Sequence, residues 1–122
     1  MAEFPELNDA SLFLDVWTPP NATTSSKYPV RVWLYGGSAM TGSISDPLYT
    51  GCYTATDSII VSINYRLGPL GYLALETAGL SGNYGLQDQL LGLQWVKENI
   101  AAFGGDPVGY SKELVPDVIS LT

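Results

Sequence analysis

Any chemistry done by this chain has to be done without histidine, because the 122 residues contain none. The commonest general base near neutral pH is therefore missing, and a serine hydroxyl without a base beside it is a poor nucleophile. What the chain offers instead is backbone. The stretch from Val30 to Gly42, Val-Arg-Val-Trp-Leu-Tyr-Gly-Gly-Ser-Ala-Met-Thr-Gly, reads as a buried strand running straight into a glycine turn. Gly36 and Gly37 reach backbone angles that other residues avoid, and they carry no Cβ to keep a substrate away. A turn of this kind presents bare N–H groups at the carboxyl end of a strand, where open α/β sheets bind their ligands. Three other side chains invite a chemical reading. Cys52 is the single cysteine, so it forms no internal disulfide and reads as a small buried thiol. Asn21-Ala22-Thr23 fits the N-glycosylation acceptor pattern within a Pro-rich loop, which suits a secreted glycoprotein. Arg66 and Asp88 are opposite charges at the ends of two neighbouring elements.

Those groups need elements to hold them. In the strand after Pro29, Val30, Val32 and Leu34 alternate with Arg31, Trp33 and Tyr35, so large side chains line both faces, as in a parallel sheet covered on both sides. Residues 11–17 alternate in the same way, with Leu12, Leu14 and Val16 opposite Phe13, Asp15 and Trp17, until Pro19 and Pro20 end the run. Residues 58–65 hold Ile59, Ile60, Val61 and Ile63, the most β-prone run in the chain. Between the last two strands, Asp46-Pro47 predicts a short helix start, giving a strand, crossover, parallel strand unit. Residues 66–82 form an ordered loop punctuated by glycines. Apolar residues at 86, 90, 93, 96, 100 and 103 then define one stripe of a helix over 84–103, with Asn83 as N-cap and Gly104-Gly105 as the stop. Residues 1–10 read as a poorly ordered lead-in. In 108–122, charges and Pro116 interrupt short apolar pieces; no strand is predicted there beyond a weak candidate at 118–121.

The expectation is an α/β fold with a mostly parallel sheet, in one domain over residues 11–107. A complete fold of this length buries roughly two-thirds of its unfolded surface. The formal charge of -7, from 5 Lys and Arg against 12 Asp and Glu, argues against nucleic acid and anionic membranes as partners. No apolar run approaches a membrane span, and Met1 to Ala10 shows neither a basic start nor an apolar stretch, so no signal peptide is expected. Location stays open, since only the Asn21 sequon points to secretion. Neither Gly-x-Gly-x-x-Gly nor a Gly-Lys-Ser/Thr phosphate loop is present, and no metal or cofactor is expected.

The motifs, in order, resemble the type B carboxylesterases and cholinesterases of the α/β-hydrolase fold. They are Leu12-Phe13-Leu14-Asp15-Val16-Trp17-Thr18-Pro19, Tyr35-Gly36-Gly37-Ser38, Asn64-Tyr65-Arg66-Leu67-Gly68-Pro69, Gly82-Asn83-Tyr84-Gly85-Leu86-Gln87-Asp88-Gln89, and Asn99 through Pro107. The resemblance spans Asp9 to Pro107 and implies a partial α/β-hydrolase, an N-terminal fragment of a family that hydrolyses small-molecule carboxylic esters through a Ser, acid and His triad. It implies that the N–H groups of Gly37 and Ser38 are oxyanion-hole donors, with Gly36 shaping the turn. One such donor is worth about 2.7 to 4 kcal/mol at the transition state. It also implies a structural ion pair between Arg66 and Asp88.

The same resemblance shows what is missing. The family follows Asp-Pro with a strand and a Gly-x-Ser-x-Gly elbow, whereas Gly109-Tyr110-Ser111 lacks the second glycine and follows Pro107 too closely. No catalytic triad residue is therefore assigned, and Ser111 is not read as a nucleophile. Ser11 stands where the family has a cysteine, which removes a disulfide and its stabilisation. The expected product is a truncated esterase, inactive alone; the alternative is a non-catalytic esterase-like interaction module. With the elbow strand missing, the glycine-turn strand is expected to leave one edge bare, a route to self-association.

Overall fold

The computed structural model describes residues 12–114. In chain order its elements are β1 (Leu14–Trp17), β2 (Tyr28–Leu34), β3 (Ile59–Ile63), α1 (Gly68–Tyr72), β4 (Ala74–Leu75), β5 (Leu80–Ser81), α2 (Tyr84–Asn99) and β6 (Gly105–Leu114). Short 3-10 turns lie at Pro47–Tyr49, Gly51–Tyr53, Glu76–Ala78 and Ile100–Phe103. The main sheet is ordered β1-β3-β2-β6, with β3, β2 and β6 parallel and β1 antiparallel to β3. The β-prone run thus becomes a central strand, and all five of its residues are buried.

Register explains the two faces. Val16, Val61 and Val32 stand side by side across three strands, flanked by Leu14 beside Ile63 and Val30 beside Ile59. This face meets α2 and the 3-10 turn that follows it, whose Val96 and Ile100 respectively join the core at 1% and 0% exposure. Burying an aliphatic side chain of this size stabilises the fold by about 1.5–3 kcal/mol. On the other face lie Trp17, Ile60 and Arg31 in one row and Asp15, Ser62 and Trp33 in the next. The crossover segment covers them: Tyr49 meets Trp33 with ring centroids 5.4 Å apart, and Gly51 lies against the Trp17 ring. The Asp46-Pro47 helix start is realised as a 3-10 turn, with the Leu48 N–H donating to Asp46 Oδ1 at 2.9 Å.

Several expectations are corrected. First, residues 105–114 form β6, which pairs along β2 from Val30 opposite Tyr110 to Leu34 opposite Leu114 after a register shift beyond Tyr28. The second edge of β2 is therefore covered, and the sheet runs through the boundary expected after Pro107. The cause is non-local: unpaired N–H and C=O groups along β2 favour a partner strand whatever its own propensity. The 118–121 candidate and the 1–10 lead-in lie outside the described residues.

Second, α2 buries only part of the predicted stripe: Val96 and the following Ile100 are fully buried and Leu93 packs partly buried against the core, but the stripe does not continue through Leu90 and Phe103. Its inward face is Gly85, Asp88, Gln89, Gly92 and Val96, continued by Ile100, while Leu90 is 57% exposed and Phe103 40%. Glycine sets this rotation. A Cβ on Gly92 would lie 2.6 Å from Ile63 Cγ2 and one on Gly85 2.4 Å from the Arg66 carbonyl oxygen, so the helix sits closer to the sheet than any larger residue permits. Third, Asn83 makes no side-chain cap, because it is left-handed at φ 57°; its carbonyl accepts the Gln87 N–H at 3.1 Å instead. The helix stops as expected, with Gly104 left-handed at φ 86°. The loop predicted over 66–82 folds into α1 and a β4-β5 hairpin.

Candidate functional site

The glycine turn follows directly from β2. Gly37 takes φ 131° and its neighbours Ser38 and Ala39 take φ 54° and 59°, so the chain holds three successive positive angles. Only glycine fits at 37, since a Cβ there would sit 2.0 Å from the Thr41 carbonyl oxygen. The turn closes on itself through Met40 and Thr41, whose N–H groups donate to the Gly37 carbonyl at 3.0 and 3.2 Å. It is tied to the start of α1 by the Gly68 N–H, which donates to the Ala39 carbonyl at 2.7 Å. Among the described residues the N–H groups of Gly37 and Ser38 donate to nothing. Ser38 is exposed and Gly36 and Gly37 are half-buried, so an acceptor can approach from solvent. Two unbonded amides on a fixed turn suit one oxygen atom carrying partial negative charge.

Behind the turn stand two tyrosines to which sequence reasoning assigned no role in the site. Tyr35 and Tyr65 are buried and stacked, with centroids 4.6 Å apart and planes 14° from parallel. The Tyr65 hydroxyl donates to the Tyr35 carbonyl, and the Tyr35 hydroxyl donates to the Tyr65 carbonyl at 3.1 Å. Burial raises both phenol pKa values, that of Tyr65 to about 12. Their positions just past the ends of two adjacent parallel strands were the signal available in the sequence.

Arg66 and Asp88 meet at the same end of β3. Arg66 Nε and Nη2 donate to Asp88 Oδ2 and Oδ1, both at 2.8 Å, and the Arg66 N–H donates to Oδ2 at 3.0 Å. The Arg66 guanidinium also lies over the Tyr84 ring, 5.2 Å from its centroid. Burial by itself would raise the Asp88 pKa. The hydrogen bonds and charge of Arg66 outweigh it and hold the carboxyl below its ordinary range.

The remaining candidates lie apart from the turn. Asn21 is exposed in a turn closed by the Ala22 N–H donating to the Pro19 carbonyl at 3.0 Å. Its loop packs against Gly104 at the far end of β2, a strand about 20 Å long. Cys52 is exposed in the second 3-10 turn, contrary to the buried thiol expected, because the small residue turned inward there is Gly51. Ser111 lies within β6, opposite Arg31 in the ladder, and not on a turn after a strand. Among the described residues no group of three or more potential metal ligands converges. A concavity of about 240 Å³ lies under the crossover beside Trp33 and Tyr49, and an apolar one of about 340 Å³ lies between β1 and α2; neither is lined by the turn.

Comparison with known proteins places this geometry in context. The sequence model of the carboxylesterase family matches residues 2–109. The chain is 47% identical over 105 residues to bile salt-activated lipase of Homo sapiens, covering 79% of this chain and 14% of that protein. It is 49% identical over 105 residues to acetylcholinesterase of Gallus gallus, covering 84% and 13%. Against para-nitrobenzyl esterase of Bacillus subtilis (strain 168) it is 45% identical over 109 residues, covering 86% and 22%. Among solved structures, a thermophilic PNB esterase superposes with a TM-score of 0.76 at 44% identity, over 83% of this chain and 21% of that one. The chain thus spans less than a quarter of the length of each of these proteins.

Proposed function

The chain belongs to the carboxylesterase family of α/β-hydrolase fold, and from that premise we propose that Gly37 and Ser38 are donors of an oxyanion hole for carboxylic ester hydrolysis, with Gly36 giving the turn its shape. The observation that carries this reading is the pair of unbonded, solvent-reachable N–H groups on a turn that admits only glycine at 37. As an attacked ester carbonyl becomes tetrahedral, its oxygen gains negative charge, and donors already aimed at it stabilise that state more than the ground state. The substrate class is a small-molecule carboxylic ester.

The 122 residues by themselves do not turn ester over. They hold no histidine to take a proton, and Ser111 lies within the β6 ladder rather than on a turn after a strand. Incubation of the purified chain with a p-nitrophenyl ester is expected to give no saturable hydrolysis, and an organophosphate is expected to leave no covalent adduct. Saturable turnover that vanishes in Ser111→Ala, or an adduct on Ser111, would overturn this reading.

Within the same proposal, the Arg66 and Asp88 pair is structural, and Asn21 is an N-glycan acceptor. A second reading, a non-catalytic interaction module, draws on the exposed Phe13 and Leu91, at 51% and 58%, which line the apolar concavity, and on the neighbouring exposed Leu90 at 57%. Failure of the chain to associate with itself or any partner would count against it.

A further inference from the structure

Backbone pairing between β2 and β3 ends at Trp33 opposite Ser62, yet the turn that follows β2 is held rigidly enough to keep three positive φ angles in succession. Beyond that last pair the main chains of the two strands are joined by side chains. The Tyr65 hydroxyl donates to the Tyr35 carbonyl, the Tyr35 hydroxyl donates to the Tyr65 carbonyl, and the Tyr65 N–H donates to the Tyr35 hydroxyl oxygen at 3.4 Å. In a trans peptide the C=O of one residue and the N–H of the next point in opposite directions. Anchoring the Tyr35 carbonyl toward β3 therefore turns the Gly36 N–H away from it. Likewise the Gly37 carbonyl, held by the Met40 and Thr41 N–H groups, turns the Ser38 N–H out of the loop. The far end of the turn returns to the same tyrosine, since a Cβ on Gly42 would lie 2.4 Å from the Tyr35 ring.

We propose that Tyr65 is a positioning residue for the amides of Gly36, Gly37 and Ser38, acting through the hydrogen bond from its hydroxyl to the Tyr35 carbonyl. The use of those amides in ester chemistry rests on the reading above; their orientation by Tyr65 does not. The phenol is suited to the task because burial, reinforced by Tyr35 and Tyr72, pushes its pKa up to about 12, so that at neutral pH it is protonated and donating. A phenylalanine keeps the stacked ring and removes only the donor.

The test is ¹⁵N relaxation on the whole chain. In the wild type the amides of Gly36 to Ser38 are expected to show order parameters of rigid backbone, about 0.85, and in Tyr65→Phe they are expected to fall below about 0.6. Tyr35→Phe leaves the Tyr65 donor in place and is expected to lose less. Val96→Ala, which weakens the core beneath α2, is expected to lower the melting temperature without loosening the turn. Unchanged turn order parameters in Tyr65→Phe overturn the proposal, and so does equal loosening in Val96→Ala. Should Tyr65→Phe not fold, the wild type decides: a Tyr65 hydroxyl proton protected from solvent exchange is expected, and its absence is fatal. Titration with dimethyl methylphosphonate, whose phosphoryl oxygen is a strong acceptor, addresses the oxyanion reading separately. Absence of saturable shifts at Gly37 and Ser38 in the wild type would sink that reading while leaving the relaxation result intact.

Discussion

At the scale of single residues, the Asp88 carboxylate accepts three hydrogen bonds from Arg66 and its side chain is 3% exposed. Arg66 is 36% exposed, so solvent screens part of the attraction and the pair is worth less than a fully buried one. Asp88→Asn is expected to cost about 1–3 kcal/mol, read as a lower urea midpoint. Since the folded carboxyl is held below its ordinary range, its contribution is complete above the unfolded value of about 3.9 and is lost as pH falls through the lower folded value. The wild type is therefore expected to lose its advantage over Asp88→Asn in acid; an advantage independent of pH would argue against the pairing. Asn21 tests a different property. Expressed through a eukaryotic secretory route, the chain is expected to carry an N-glycan that peptide N-glycosidase removes and Asn21→Gln abolishes; an unshifted wild type would dismiss the site. Both charged residues were conspicuous in the sequence, and the glycine pair more so. The tyrosine pair was less so, because 30 positions separate its members and only their shared place just past the ends of two parallel strands links them.

At the scale of elements, α2 shows close approach prevailing over hydrophobic periodicity. Counting apolar residues put Leu90 toward the sheet with Leu93, Val96 and Ile100; the last three do pack on the core, but the helix turns Gly85, Asp88 and Gly92 inward and leaves Leu90 exposed. Gly85→Ala provides the test of which effect wins. Alanine improves helix propensity by about 0.8–1 kcal/mol. Its Cβ, however, would meet the Arg66 carbonyl at 2.4 Å, and a strand-end backbone that also carries the Asp88 contact cannot withdraw cheaply. Overpacking of this kind costs about 1–3 kcal/mol, so a net fall in melting temperature is expected; a rise would show that the helix has room. The strand β6 carries the complementary lesson. Its residues read poorly as a strand because the reason for pairing lies in β2.

At the scale of the whole molecule, the sheet has two outer strands, β1 and β6, and the edge expected to be bare on β2 is occupied. Self-association then falls to the outer side of β6 and to the apolar surface around Leu90 and Leu91. The net charge of -7 opposes it. Sedimentation at rising protein concentration is expected to show association that strengthens as salt screens the repulsion. A monomer unaffected by salt and concentration would remove both the open-edge route and the apolar surface from consideration.

The sequence by itself determined the α/β class, three strand positions, the helix, the glycine turn and the family, because each is carried by local periodicity, glycine chemistry or contiguous motifs. Tertiary structure alone decided which face α2 buries, that 105–114 becomes a strand, that Cys52 faces solvent, and that Tyr35 and Tyr65 bond each other across the strand ends. Those outcomes depend on groups brought together from distant parts of the chain, where an unfilled hydrogen bond or a missing Cβ counts for more than the hydrophobicity of the residues nearby.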